Sequence, residues 1–212
     1  MSGTDGPRSV KIGADERTGW SSERPKRAGG PDRPPDISVR CKVLRPAEAL
    51  RYSPGSLLVI ASASEEDREA LADRVVEQRG ALLSTAKVRE LLAGRVSDEE
   101  MEARAAQLLD AAASKRLGGN DSTVVVTGGL DPAERERLAR LAAAAKRPRH
   151  LILVETARDK VSEDDLAPLN ELRRRLDAGE LGAEGFDTAL RLGGDSIAEL
   201  KRIVFRPAPR DD

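Results

Sequence analysis

Four short apolar runs constrain this chain more than any other feature. They are Leu57-Leu58-Val59-Ile60, Ala81-Leu82-Leu83, Thr123-Val124-Val125-Val126 and Leu151-Ile152-Leu153-Val154. A strand with one wet face alternates polar and apolar residues, whereas a continuous apolar run fits a strand buried on both faces. The intervals carry a helical period. Glu65 to about Gln78 places Leu71, Ala72, Val75 and Val76 on one face, and Lys87 to Leu92 is a short helix stopped at Gly94. Ser97-Asp98-Glu99-Glu100 has the spacing of a capping box. It opens a long helix with an expected core face of Met101, Ala105, Leu108, Leu109 and Ala112, ended by Gly118-Gly119-Asn120. Asp131-Pro132-Ala133-Glu134 supplies an N-cap, a proline at the first helical position and a glutamate expected to reach back to the cap. The helix it opens is expected to bury Leu138, Leu141, Ala142 and Ala145. Buried strands alternating with helices predict a three-layer α/β/α domain around a mostly parallel sheet.

The flanks are less regular. Ile37 to Leu44 alternates loosely, as an edge strand does, and Ser53-Pro54-Gly55 signals a turn. After Glu155, Leu166, Leu169, Leu172 and Leu176 line a helix that carries Arg173-Arg174-Arg175; Thr188 to Leu192 and Arg202 to Phe205 read as short closing strands. Residues 1–37 are dominated by Gly, Pro, Ser, Arg and Asp without a period. Such a segment buries too little apolar surface to offset its ordering entropy, so a disordered tail is expected there and at 208–212, around a domain over 38–207. Trp20 falls in that tail and is expected to be solvated rather than an anchor for a partner protein.

Composition removes several function classes. The 212 residues carry 36 Lys and Arg against 37 Asp and Glu, which argues against a generally basic nucleic-acid binder. The aromatics are Trp20, Tyr52, Phe186 and Phe205, few for stacking on bases. Cys41, the single cysteine, excludes an internal disulfide and a cysteine-based zinc site. No apolar run approaches the roughly 20 residues of a membrane span, and the N-terminus lacks the apolar stretch of a secretory signal. A cytoplasmic location with no membrane partner is expected.

The order of the motifs goes further. Pro54-Gly55-Ser56-Leu57-Leu58-Val59-Ile60 is followed by Glu77-Gln78-Arg79-Gly80-Ala81-Leu82-Leu83-Ser84-Thr85 and then by Val88-Arg89-Glu90-Leu91-Leu92-Ala93-Gly94. Val124-Val125-Val126-Thr127-Gly128-Gly129-Leu130-Asp131-Pro132-Ala133-Glu134-Arg135 and Arg158-Asp159-Lys160-Val161-Ser162-Glu163-Asp164 complete the series. In this order and spacing, over roughly residues 52–207, the chain resembles the P-loop kinases of the polynucleotide-kinase-like and AAA-type nucleotide kinase groups. The resemblance implies a P-loop-kinase-like fold.

The chemistry of that family is not carried over. A phosphate loop needs G-x-x-x-x-G-K-[ST], with glycines that let backbone N–H groups close around phosphate and a lysine and hydroxyl for charge and Mg²⁺. The matching stretch is Ala61-Ser62-Ala63-Ser64-Glu65-Glu66-Asp67-Arg68-Glu69, without glycine or lysine. Ser62, Ser64, Glu65, Glu66, Asp67 and Glu69 thus form a degenerate phosphate loop, with Arg68 near the usual lysine. Ser64 is a candidate N-cap and Asp67 is expected to reach back to it, so that the helix supplies its own anions. The resemblance implies an aspartate base after the second strand; Ala86 stands there and cannot take a proton. No catalytic residue is therefore expected. Arg89 matches a substrate-contacting arginine of the family, with a solvated helix residue as the alternative. Gly128-Gly129 is read as a tight turn that would also permit close approach of a ligand. Arg158 and Lys160 match the lid, and Arg173 to Arg175 are expected on an exposed helix of alternating charge. Glu155 ends the fourth strand, where it could mimic a Walker-B acid. His150 is expected in a loop and Cys41 as a small buried residue.

The expected function is a catalytically degenerate kinase-like module that binds or regulates, with a protein as partner and with no cofactor or metal. The alternative is an atypical phosphotransferase using ATP and Mg²⁺ through Arg68, Arg89, Arg158 and Lys160. A further alternative is a nucleic-acid-binding remnant using Arg147, Arg149 and Arg173 to Arg175.

Overall fold

The computed structural model describes residues 35–207. Trp20, all but the last three residues of the expected N-terminal tail and the expected tail at 208–212 lie outside them. Six strands form one sheet in the order β1 (Lys42–Val43), β7 (Thr188–Leu192), β6 (Arg149–Val154), β3 (Leu57–Ala61), β5 (Thr123–Val126) and β4 (Leu82–Ser84). Every pairing in it is parallel, with Leu57 opposite both Thr123 and Arg149. The central strands are apolar throughout because both faces are covered. Leu58, Ile60, Val124, Val126, Ile152 and Val154 point to one core, and Leu57, Val59, Val125, Leu151 and Leu153 to the other. The first core is closed by α1 (Glu65–Val75) and by a separate two-stranded parallel sheet of β2 (Ala49–Tyr52) and β8 (Arg202–Phe205). The second is closed by α3 (Asp98–Gly118), α4 (Pro132–Ala144) and α5 (Glu163–Asp177). The shorter helices are α2 (Thr85–Leu92), beside α3 at the β4 edge, and α6 (Asp195–Glu199). Among the described residues no helix is long and apolar enough to cross a membrane.

Several expectations are corrected. Ala49–Tyr52 is a strand, and the closing strand at 202–205 pairs with it rather than with the main sheet. The strand expected over Ile37 to Leu44 shrinks to Lys42–Val43. The residues before it run against the 3₁₀ turn Glu180–Glu184, where the Val39 N–H donates to the Gly182 carbonyl at 2.9 Å. A Cβ on Gly182 would lie 2.0 Å from the Val39 carbonyl oxygen, so this close approach requires glycine. The core face of α3 is rotated from the expected one: Ala105, Leu109, Ala113 and Leu117 are buried, whereas Leu108 is 51% exposed. At its start the Ser97 hydroxyl meets the Glu100 carboxylate instead of a backbone N–H. In α4, Ala139 is buried and Leu141 and Ala145 are half-buried.

His150 is a strand residue rather than a loop residue, because β6 begins one residue before it. It is buried, its Nδ1 lies 2.9 Å from the Thr188 hydroxyl, and its ring stacks on Tyr52 at 4.3 Å between centroids. Burial pushes its pKa down from 6.5 to about 4, against the opposing pull of Asp187. The folded state therefore binds fewer protons than the unfolded state between those values. The stabilisation is complete above pH 6.5 and is lost as pH falls toward 4, for a total of about 3 kcal/mol. Urea unfolding at about pH 7.5 and about pH 4.5 should show His150→Gln losing correspondingly less stability on acidification than the unaltered chain. Equal losses would show that the imidazole is not held neutral by the fold.

A buried ion pair braces the second core. Arg135 of α4 donates from Nε and Nη2 to the two Glu184 carboxylate oxygens at 3.0 and 3.1 Å, and from Nη1 to the Leu130 carbonyl at 2.6 Å. Arg175 of α5 donates to the same carboxylate at 2.5 Å.

Candidate functional site at the C-terminal edge of the sheet

Chain order reverses direction at β3, whose neighbours β5 and β6 lead to opposite halves of the sheet. In open parallel sheets ligands bind beyond the strand C-termini at such a switch point. Here that point is tied shut on both sides. Only Ser62, Ala63 and Ser64 separate β3 from α1. Toward β6, the Ser62 and Thr156 hydroxyls are 2.8 Å apart and both residues are buried. Toward β5, Arg68 lies across the gap, only 3% exposed. Its Nη1 donates to the Ser62 carbonyl at 3.1 Å and its Nη2 to the Gly128 carbonyl at 2.8 Å. Burial lowers the Arg68 pKa, with Glu65, Glu69 and Glu134 pulling the other way.

The expected cap is half present. The Ser64 hydroxyl accepts from the Asp67 N–H at 3.1 Å, but the Ser64 N–H donates to the Ser62 and Thr156 hydroxyls rather than to the Asp67 carboxylate. The remaining acids of the degenerate loop find cations. Glu65 pairs with Arg68 at 3.2 Å and with Arg89 at 3.8 Å, and Lys160 approaches Glu66 at 3.9 Å and Asp67 at 4.0 Å. Glu69 is not in the loop at all. It sits a turn into α1, where it accepts from the Ser84 hydroxyl, the N-cap of α2. Three of the ligand candidates, Arg68, Arg89 and Lys160, therefore engage the loop's own acids, and Arg158 stands exposed in the 3₁₀ turn Arg158–Lys160. Ala86 is half-buried in the first turn of α2.

Other basic residues are similarly occupied. Glu155 receives hydrogen bonds from Arg173 and from Arg191. Burial works against its charge, but these arginines outweigh it and hold the carboxyl below the usual glutamate range. Arg174 pairs with Glu171 and Glu180, Arg149 lies 3.6 Å from Asp187, and Arg147 donates to the Leu117 carbonyl. Gly128 and Gly129 both have negative φ, so no left-handed turn demands them. Gly128 is instead tightly packed, since a Cβ there would lie 3.0 Å from Arg89 Nη2 and 3.3 Å from Thr85 Cγ2 and would ask both side chains to give.

Beside this closed point lies a cavity of about 550 Å³ between α2, α3, the β5–α4 turn and the start of α5. Glu134 is its most buried carboxylate. It does not close the helix cap as its position suggested. Its oxygens accept from the Gly128 N–H at 3.1 and 3.2 Å and from the Thr85 hydroxyl at 3.3 Å. Burial raises its pKa, opposed chiefly by the Gly128 N–H and Arg137. Sequence reading missed Glu134 as a site residue; the signal available was an acid three residues past an N-cap, directly after a buried strand. No group of three or more potential metal ligands occurs among the described residues.

No protein-family model matches the chain, and no curated protein does. Solved structures similar to it include a presumed kinase from Chloroflexus aurantiacus, at 17% identity over 69% of this chain and 88% of that one, with a TM-score of 0.43. A tunicamycin resistance protein from Deinococcus radiodurans is similar at 14% identity over 68% of this chain and 91% of that one, with a TM-score of 0.38.

Proposed function

We propose that this chain is a kinase-like α/β module that binds or regulates without transferring phosphate, with the cavity beside Glu134 as its binding site. The observation that carries this reading is the buried Arg68 guanidinium. It joins the two turns that a phosphate would have to part, through a backbone carbonyl on each side, and it also donates to the Glu65 carboxylate. The acids add to the barrier. A polyphosphate at the start of α1 would meet Glu65, Glu66 and Asp67, whose repulsion is offset in part by their pairing with Arg68, Arg89 and Lys160. With Ala86 at the position of the base, the general base is missing together with the glycines and the lysine of a phosphate loop.

Calorimetric titration with ATP and Mg²⁺ at low salt tests this. No binding is expected up to about millimolar nucleotide, an affinity limit of roughly −4 kcal/mol. Micromolar binding that disappears in Arg68→Ala and Arg89→Ala would overturn the reading in favour of an atypical phosphotransferase.

A further inference from the structure

We propose that the cavity beside Glu134 takes a small cationic ligand, an amidinium, guanidinium or ammonium group carried on an apolar body. This rests on reading that cavity as the binding site and adds the chemistry of its occupant. A volume of about 550 Å³ lies within the range of small-molecule pockets.

The walls and the charges differ in character. Ala106, Leu109, Leu130, Pro132 and Pro168 give an apolar lining. Four carboxylates, Glu102, Asp131, Glu134 and Asp165, stand against two guanidinium groups, Arg89 and Arg137. Both arginines already hold a carboxylate, although the Arg89 Nε has no hydrogen-bond partner. Arg89 is bound to Glu102 at 2.7 Å, and Arg137 to Asp110 at 2.9 Å. Glu102 is thereby neutralised, and the acids without a direct ion pair are Asp131, Glu134 and Asp165, of which Glu134 still feels Arg137. Asp131 and Asp165 are engaged locally, the first by the Ala133 N–H and the second by the Ser162 hydroxyl.

Glu134 differs from these two in depth and in spare capacity. An ionised carboxylate offers about four acceptor sites. One backbone N–H shared between both oxygens and one long hydroxyl contact leave part of that capacity unused. A half-buried acid with open lone pairs, in a cavity whose arginines are each paired with another carboxylate, recognises a donor that carries positive charge. The apolar walls would hold the ligand's body. An anion there would face three carboxylates and would have to compete with Glu102 and Asp110 for the two arginines.

Three isosteric probes test this on the full chain: benzamidinium, benzamide and benzoate, titrated while backbone amide resonances are followed. Benzamidinium should shift Gly128, Gly129 and Leu130 and bind about tenfold or more tighter than benzamide, the ratio set by a charge-assisted hydrogen bond. Glu134→Gln should remove most of that preference, and Asp165→Asn a smaller part, with unliganded melting temperatures reporting that both variants fold. Benzoate or benzamide binding as tightly as benzamidinium, with shifts at Gly128 to Leu130, would overturn the ligand class and leave the cavity as the site. No shift there from any probe would overturn the cavity itself.

Discussion

Truncating Glu184 to alanine is expected to cost about 3–5 kcal/mol of stability and to lower the melting temperature by about 10 °C or more. The reason is asymmetry of exposure. The Glu184 carboxylate is 6% exposed and Arg135 is 3% exposed, so removing the acid strands a charge that cannot turn to water. Arg175, at 22% exposed, can turn outward. Arg135 would keep only its bond to the Leu130 carbonyl, which carries no opposing charge. Glu184→Leu combined with Arg135→Met should recover much of the loss, because an apolar pair of similar volume owes no desolvation penalty. Urea unfolding of both variants checks the argument. A single-variant loss below about 1 kcal/mol would mean that the pair behaves as a solvated one.

What was legible in the sequence follows from how each element is buried. β3, β5 and β6 announce themselves because burial on both faces leaves no polar residue to blur the run. β2 did not, since only Leu50 and Tyr52 are buried, and its partner β8 lies at the far end of the domain. A four-residue strand with one wet face carries its information in the pairing rather than in its own residues. The face of α3 was misread for a related reason. Its alanines fit either side of a helix, so Leu108 and Leu109 compete as markers and only packing selects Leu109. At the site, the missing glycines and lysine of a phosphate loop were plain. The apparent negative patch at 65–69 was not real in the same sense. Its partners Arg89 and Lys160 come from elements 20 and more residues away, and Glu69 points out of the loop. Besides Glu65, the acceptors of Arg68 are backbone carbonyls, which every residue possesses, so nothing in the side-chain sequence marks Ser62 and Gly128 as the chosen pair.

That choice of acceptors makes Arg68 the sharpest test of the closed switch point. Arg68→Met keeps the stem and the packing volume but removes the guanidinium, leaving the Ser62 and Gly128 carbonyls without their charged donor. Hydrogen bonds to charged groups contribute roughly 1.5–3 kcal/mol each, and the burial cost of the guanidinium is returned on its removal, so a net loss of about 2–4 kcal/mol is expected. Glu65 suffers little from losing this partner because it is 54% exposed and retains Arg89 nearby. Arg68→Lys should fall between the two. A guanidinium reaches two carbonyls from two nitrogens of one rigid plane, whereas an ammonium is a single point on a flexible stem and satisfies one of them well at most. Nucleotide affinity should stay absent in both variants, since neither supplies a glycine-lined loop or removes Glu65, Glu66 and Asp67. Denaturant unfolding thus predicts the stability order Arg, then Lys, then Met. A methionine variant as stable as the unaltered chain would show that the guanidinium is not what holds β3 and β5 together at their C-terminal ends, and the closure of the switch point would need another cause.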